Sequence, residues 1–162
     1  MNSIKIIDYE SKHQSYFEKF NRFWIEKYFH MEDLDEFVLT NPEEAILKPG
    51  GAVLMALYDE AVAGTVALRK VDNTTYEFTK MAVEENFQRK GIAETLSYAS
   101  FKKAKELGAR EVILYTNSIL KPAIHLYEKI GFRHVSLGIG EYKRSDVKMT
   151  IKITQEIIVN PV

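Results

Sequence analysis

Val83-Glu84-Glu85-Asn86-Phe87-Gln88-Arg89-Lys90-Gly91-Ile92-Ala93 is the stretch that decides how this chain is read. An apolar run ends at Val83, a short polar loop follows, and a helix opens at a glycine flanked by basic and small residues. The first amides of a helix have no intrahelical acceptor and sit at the positive end of its macrodipole, so they suit a phosphate. Gly91 and Ala93 would let an anion approach the backbone, and Arg89 and Lys90 add charge. The same residues also suit a plain strand–loop–helix junction with a solvated basic turn, and this segment alone leaves both readings open. Competing phosphate motifs fit worse. There is no G-x-x-x-x-G-K-[ST], and Gly138-Ile139-Gly140 lacks the third glycine of a dinucleotide fingerprint.

Working outward from that junction, Thr75 to Val83 reads as the strand that feeds it. Gly91 to Leu107 reads as the helix it opens, with Ala93, Leu96, Ser100, Ala104 and Leu107 on one stripe and Gly108 as its stop. Upstream, Val53 to Tyr58 and Ala61 to Arg69 pair as a hairpin about the tight turn Asp59-Glu60. Before the glycines at 50 and 51, Tyr16, Phe17, Phe20, Phe23, Trp24 and Tyr28 recur at helical spacing between Ser11 and Phe29. A first strand precedes that helix at Ile4 to Tyr9, and a short helix at Asp33 to Leu39 and a turn at Asn41-Pro42-Glu43-Glu44 follow it. Downstream come a strand at Glu111 to Thr116, a helix at Lys121 to Lys129 capped by Gly131, and strands at Phe132 to Leu137 and Val147 to Ile153. Such alternation predicts an α/β domain built round one mixed sheet, with residues 1–162 as a single unit.

The totals narrow the function. The 162 residues are 46% hydrophobic, enough for one core, and 22 Lys and Arg face 23 Asp and Glu. A formal net charge of −1 disfavours a general nucleic-acid binder. With no cysteine, disulfides, thiolate metal sites and cysteine nucleophiles are excluded. His13, His30, His125 and His134 show no zinc-binding spacing, so no metal is expected, and His125 is expected to be exposed. No charged segment leads into a long apolar run at the start and no stretch approaches the ~18 apolar residues of a membrane span, so the expected location is cytoplasmic.

Two motifs identify a family. Gln88-x-x-Gly91-x-Ala93 resembles the Q/R-x-x-G-x-G/A signature of the GNAT superfamily of N-acetyltransferases. Tyr115-Thr116-Asn117-Ser118, followed by Ala123-Ile124-His125-Leu126-Tyr127-Glu128-Lys129-Ile130-Gly131-Phe132, resembles its second motif, in family order. The resemblance runs from about Val53 to Ile153. It implies a GNAT-like fold whose fourth and fifth strands splay apart, and acetyl-CoA as co-substrate. It further implies that the stretch Met81, Ala82, Val83 offers backbone groups to the pantetheine arm. The amides of Arg89, Lys90, Gly91, Ile92, Ala93 and Glu94, introduced by Gln88, would hold the pyrophosphate, and Asn117 would contact the arm. Ala93 stands where the signature has its second glycine, which the pattern allows.

Acetyl transfer needs a neutral amine, a stabilised oxyanion and relief of charge on the departing thiolate. Tyr127 resembles the family's general acid. A phenol at ~10 facing a thiol near ~8.5 transfers its proton uphill by about 2 kcal/mol, so a strengthening hydrogen bond is the better description. Glu77 lies in the fourth strand, where some family members carry a catalytic glutamate. Alternation would place it on one face with Thr79, Met81 and Val83, although a solvated strand-edge carboxylate fits the sequence as well. The oxyanion donor is expected to be an amide near Met81. His30, Glu32 and Arg144 are the acceptor-site candidates. Trp24 is read as core; Arg144 could partner a carboxylate and Asp146, beside Tyr142 and Lys143, a cationic amine, although a solvated charged turn fits the same residues. The acceptor is an amine, small or peptidic, bound by a monomer or homodimer. A non-catalytic acyl-CoA-binding module and a transferase with another acyl donor are the alternatives, and Gln155 to Val162 reads as an extended tail.

Overall fold

In the computed structural model, which describes residues 3–138 and 143–153, strands and helices alternate in the order the periodicities predict. The strands are β1 (Ile4–Asp8), β2 (Ala52–Tyr58), β3 (Ala61–Lys70), β4 (Thr75–Val83), β5 (Glu111–Thr116), β6 (Arg133–Val135) and β7 (Val147–Lys152). The helices are α1 (Gln14–Tyr28), α2 (Asp33–Thr40), α3 (Ile92–Glu106) and α4 (Lys121–Lys129). Tyr142, Ile139, Gly140 and the tail Gln155 to Val162 lie outside the described residues. No helix among those described is long and apolar enough to cross a membrane.

The strands form one sheet in the order β1-β2-β3-β4-β5-β7-β6, antiparallel throughout except where β4 lies parallel to β5. Asp59 (φ 48°) and Glu60 (φ 75°) both adopt left-handed backbone, the turn geometry that matches strand twist in a two-residue hairpin. One sheet face packs Leu54, Val66, Leu68, Tyr76 and Phe78 against Leu96 and Phe101 of α3 and Tyr127 of α4. The other packs Val53, Met55 and Ala67 against Phe17 and Ile25 of α1 and Val38 and Leu39 of α2. Gly64 permits the first of these contacts. A Cβ there would stand 3.1 Å from Ile92 and 3.2 Å from Leu96, at the first turns of α3.

Two irregularities make the sheet more than a scaffold. β4 pairs with β5 at Thr75–Glu111, Tyr76–Val112 and Glu77–Ile113 and no further, although the strands continue to Val83 and Thr116. The expected splay is therefore present. The second irregularity is a β-bulge. Thr65 pairs Ala82 and Ala67 pairs Thr79, so the single residue Val66 faces both Lys80 and Met81. Lys80 adopts φ 54°, and the extra residue reverses the alternation. Val83 consequently joins Tyr76 and Phe78 beneath α3, with Met81 packed against the same cluster. The expected common face for Glu77, Thr79, Met81 and Val83 is thus corrected, because strict alternation assumes an unbulged strand.

Candidate active site

A cavity of about 490 Å³ opens where β4 and β5 part, lined on one side by α4 and the start of α3 and on the other by the end of α1 and residues 144 and 145. At the α3 end the backbone is unsatisfied. The first helical bond runs from the Thr95 amide to the Gly91 carbonyl at 3.0 Å, and among the described residues the amides of Arg89 through Glu94 meet no acceptor. Arg89 (φ 64°) and Gly91 (φ 82°) are both left-handed, the kind of alternation that curves successive amides round an anion. Space over Gly91 is open, since a Cβ built there meets nothing within 4 Å.

The side chains of this loop behave differently from one another. Gln88 and Ala93 line the cavity, whereas Arg89, Lys90, Gly91, Ile92 and Glu94 do not. Lys90 lies 5.3 Å from the Tyr58 ring centroid, Ile92 is buried in the core, and Glu94 meets Lys129 at 3.3 Å. Gln88 Nε2 and Trp24 Nε1 each donate to the Val83 carbonyl at 2.9 Å. Both of that carbonyl's lone pairs are thereby used.

Tyr127 of α4, 9% exposed, lines the cavity. Its ring meets Phe78 and Phe132 edge-on, with centroids 5.6 and 5.9 Å away. Left-handed Gly131 (φ 116°) closes α4, and the Phe132 amide donates back to the Tyr127 carbonyl at 2.9 Å. The L-Y-x-x-x-G-F spacing is therefore the geometry that clamps the tyrosine. Its hydroxyl has no hydrogen-bond partner among the described residues, and burial pushes its pKa up to about 12.

On the α1/α2 face the cavity wall is charged. Leu68 and Phe78 point into the α3 core, so Arg69 and Glu77 beside them point the opposite way. Arg69 Nε donates to Glu77 Oε1 at 2.9 Å, and Glu77 is buried, not the solvated edge carboxylate that the sequence also permits. Lys80 donates to Asp35 Oδ1 at 2.7 Å, and Arg144 grips the same carboxylate with two bonds of 2.8 Å. Burial disfavours the charge on Asp35, yet the hydrogen bonds from Arg144 and the charge of Lys80 outweigh it and hold the group at about 2. Burial pushes the Lys80 ammonium down, against the pull of Asp35.

Arg144 therefore binds a carboxylate through its fork, as expected, but the carboxylate is Asp35 of the same chain. Glu32 lies outside the cavity lining. It caps α2, its amide donating to Asp35 Oδ2 at 2.9 Å, and its carboxylate accepts from Arg144 at 3.2 Å. His30 is exposed and also absent from the lining. Trp24, read as core, lines the cavity instead, stacked on Tyr28 at 6.3 Å. Its placement follows from the helix: Phe17, Phe20, Asn21 and Ile25 fill the buried stripe of α1, leaving the remaining aromatics outside it. His125 is exposed, as expected.

Asn117 closes β5 and ties down the segment opposite. Its Nδ2 donates to the Arg144 carbonyl at 2.6 Å, and its Oδ1 accepts from the Ile119 amide at 2.9 Å. Asp146 accepts from the Ser118 amide and hydroxyl at 2.8 Å each, so its carboxylate is committed to that loop and does not line the cavity. The residues that sequence reasoning missed are Asp35, Lys80 and Asn21. Nothing local marks them, because Asp35 and Lys80 stand 45 positions apart and meet only through the fold.

The parting of β4 from β5, with bare amides at the start of α3 beside the opening, is what the resemblance to the GNAT superfamily implies. The chain belongs to the acetyltransferase (GNAT) family, whose profile matches residues 12–132. It is 31% identical over 96 residues to the uncharacterized N-acetyltransferase YjgM of Escherichia coli (strain K12), covering 57% of this chain and 58% of that protein. Among solved structures, an acetyltransferase of the GNAT family from Staphylococcus aureus Mu50 superposes with TM-score 0.84 at 21% identity, over 94% of this chain and 100% of that one. The spermidine N-acetyltransferase from Vibrio cholerae in complex with CoA and spermine superposes with TM-score 0.71 at 19% identity, over 97% and 98%.

Proposed function

We propose that this protein transfers an acetyl group from acetyl-CoA to a primary amine by direct attack in a ternary complex. The observation that carries this reading is the parting of β4 from β5, which frees one edge of β4 along the cavity that Tyr127 lines. A pantetheine arm laid there completes the edge as an added strand would. Its backbone partners centre on Met81, since the Val83 carbonyl becomes available only when Trp24 or Gln88 lets go. The bare amides of Arg89 to Glu94 take the pyrophosphate, and Asn117 flanks the arm from β5.

In the transfer itself the amine nitrogen attacks the thioester carbonyl carbon, and the C–S bond breaks as the tetrahedral intermediate collapses. The bulge leaves Lys80 and Met81 together opposite a single residue of β3, which suits the Met81 amide to the oxyanion. Tyr127 donates a hydrogen bond to the departing sulfur. With its pKa at about 12, full proton transfer to a thiolate near ~8.5 is uphill by about 5 kcal/mol, so the phenol polarises more than it protonates. Glu77, its carboxylate tied to Arg69, orients the amine and passes its proton to water. With no cysteine in the chain, a thioester acyl-enzyme is excluded.

The test is thiol release from acetyl-CoA against a panel of amines, with initial velocities over both concentrations. Direct attack predicts amine-dependent release and intersecting double-reciprocal lines, whereas parallel lines or release independent of any amine would contradict it. Because Tyr127 keeps its proton up to about pH 12, kcat should not fall between pH 8 and ~10. A descending limb that disappears in Tyr127→Phe would overturn that assignment.

A further inference from the structure

One stripe of α1 faces the cavity. Asn21, Trp24, Ile25 and Tyr28 all line it, at the three- and four-residue steps that stack side chains on one helical face. Asn21 is the polar member of the stripe, and it is only 4% exposed. Its Nδ2 donates to the Phe17 carbonyl at 3.0 Å, and because a carbonyl can only accept, that bond fixes which amide atom is the oxygen. Oδ1 has no hydrogen-bond partner among the described residues. Among those residues, every side-chain oxygen or nitrogen sealed from solvent does have one. Oδ1 is therefore not sealed off, and the space it meets is the cavity that its residue lines. A buried acceptor left open toward a cavity suits a ligand N–H.

The aromatic part of the stripe is held in place. Trp24 Nε1 is bonded to the Val83 carbonyl at 2.9 Å, and its ring stacks on Tyr28 with centroids 6.3 Å apart at an interplanar angle of 7°. The charged side chains lining the cavity, by contrast, are already neutralised within the chain. Glu77 pairs with Arg69 at 2.9 Å, Lys80 with Asp35 at 2.7 Å, and Arg144 with Asp35 at 2.8 Å and Glu32 at 3.2 Å. An acceptor carrying a second charge would have to break one of these pairs. A polycation is opposed further, because the Lys27 ammonium already lies 5.1 and 5.6 Å from the Trp24 and Tyr28 ring centroids.

We infer that the acceptor is a monoamine with an aromatic or other apolar body, its amine N–H bonded to Asn21 Oδ1 and its body laid on Trp24 and Tyr28. This rests on the acetyl-transfer reading and names the acceptor class for the same site. A primary amine attacks through its lone pair, so its two N–H groups need acceptors, and Asn21 Oδ1 and Glu77 supply one each. A neutral amide oxygen takes that bond without the negative charge that would hold the amine as ammonium. The cavity, about 490 Å³ in all, must also admit the pantetheine arm, so the body is small, of arylalkylamine size.

The experiment measures amine binding to the unmodified protein loaded with CoA, which has no acetyl group to transfer, and then turnover with acetyl-CoA. 2-Phenylethylamine is compared with ethylamine, which lacks the ring, with L-phenylalanine, which adds a carboxylate, and with spermidine, which adds cations. It should bind at least about tenfold more tightly than each and lead in kcat/KM, since burying one aromatic ring is worth about tenfold to a hundredfold. Asn21→Leu should weaken 2-phenylethylamine binding about tenfold and leave the CoA Kd within about twofold. Asn21→Asp, which keeps an acceptor oxygen, should lie between that variant and the parent. Equal binding of ethylamine and 2-phenylethylamine, tighter binding of L-phenylalanine or spermidine, or an Asn21→Leu variant that loses CoA and not the amine, would overturn the inference. The comparison of amines is read on the parent protein whether or not the variants fold. Tight binding of 2-phenylethylamine to the CoA complex, with no acetyl transfer from acetyl-CoA, would instead count against the acetyl-transfer reading itself.

Discussion

The two ends of the cavity offer different kinds of group. At the α3 end the groups offered are backbone amides, presented by left-handed Arg89 and Gly91 and the first turn of a helix. At the α1/α2 end they are side chains, Glu77, Lys80 and Arg144, each held by a partner from elsewhere in the chain. A backbone site needs a few consecutive residues and tolerates many side chains, so it suits a ligand common to a whole family. A side-chain site needs several elements to converge and can change with single substitutions, so it suits the ligand that differs between members. The contrast gives a physical reason for one cofactor serving many acceptors on one fold.

The contrast can be broken by substitution, and the largest effect should come from the convergent side. Asp35→Ala removes the carboxylate that Lys80, buried, and Arg144, mostly so, share. It should cost about 3–5 kcal/mol in denaturant unfolding, and a loss below about 1 kcal/mol would show that the cluster does not hold this end together. Next is Gly91→Val on the backbone side. A Cβ there meets open space, so the folding cost is that of the left-handed backbone, about 1–2 kcal/mol, while acetyl-CoA affinity should fall about tenfold or more. Unchanged affinity by calorimetry would discredit the anion site.

Acid sharpens the same comparison. Asp35 is held at about 2 in the folded chain, below the ~4 of an unfolded aspartate, so its contribution is complete above pH ~4. As pH falls from about 4 to about 2 that contribution, on the order of 2 kcal/mol, is lost. Parent stability should therefore fall across that window more steeply than that of Asp35→Asn, and identical slopes would contradict the pairing. The smallest effect is Asn117→Ala, which removes the tie to the Arg144 carbonyl and should cost about 0.5–1.5 kcal/mol. If it also raises KM for the acceptor, Asn117 positions Arg144 as well as closing β5.

What the sequence made legible divides along the same line. β4, β5, α4 and the start of α3 were readable because their evidence is consecutive: an apolar run, a glycine, a helical repeat. Tyr127 was readable because Gly131 and Phe132 follow it at the spacing that clamps it. The bulge at Lys80 was not, since an extra residue in one strand leaves no mark on composition, and it overturned the facing assigned to Met81 and Val83. His30 and Glu32 were placed by their position after α1, but the chain there turns away to cap α2. Arg144 and Asp35 are 109 positions apart, and only the tertiary fold brings fork and carboxylate together.

Tyr127 lines the cavity from α4, and its replacement tests the account most directly. Acetyl-CoA affinity and kcat should be measured side by side for the parent and Tyr127→Phe. The phenylalanine keeps the aromatic edges to Phe78 and Phe132 and removes the hydroxyl. The account predicts an unchanged Kd and a kcat lower by about a hundredfold. An unchanged kcat, or a Kd weakened enough to explain the whole loss, would contradict it.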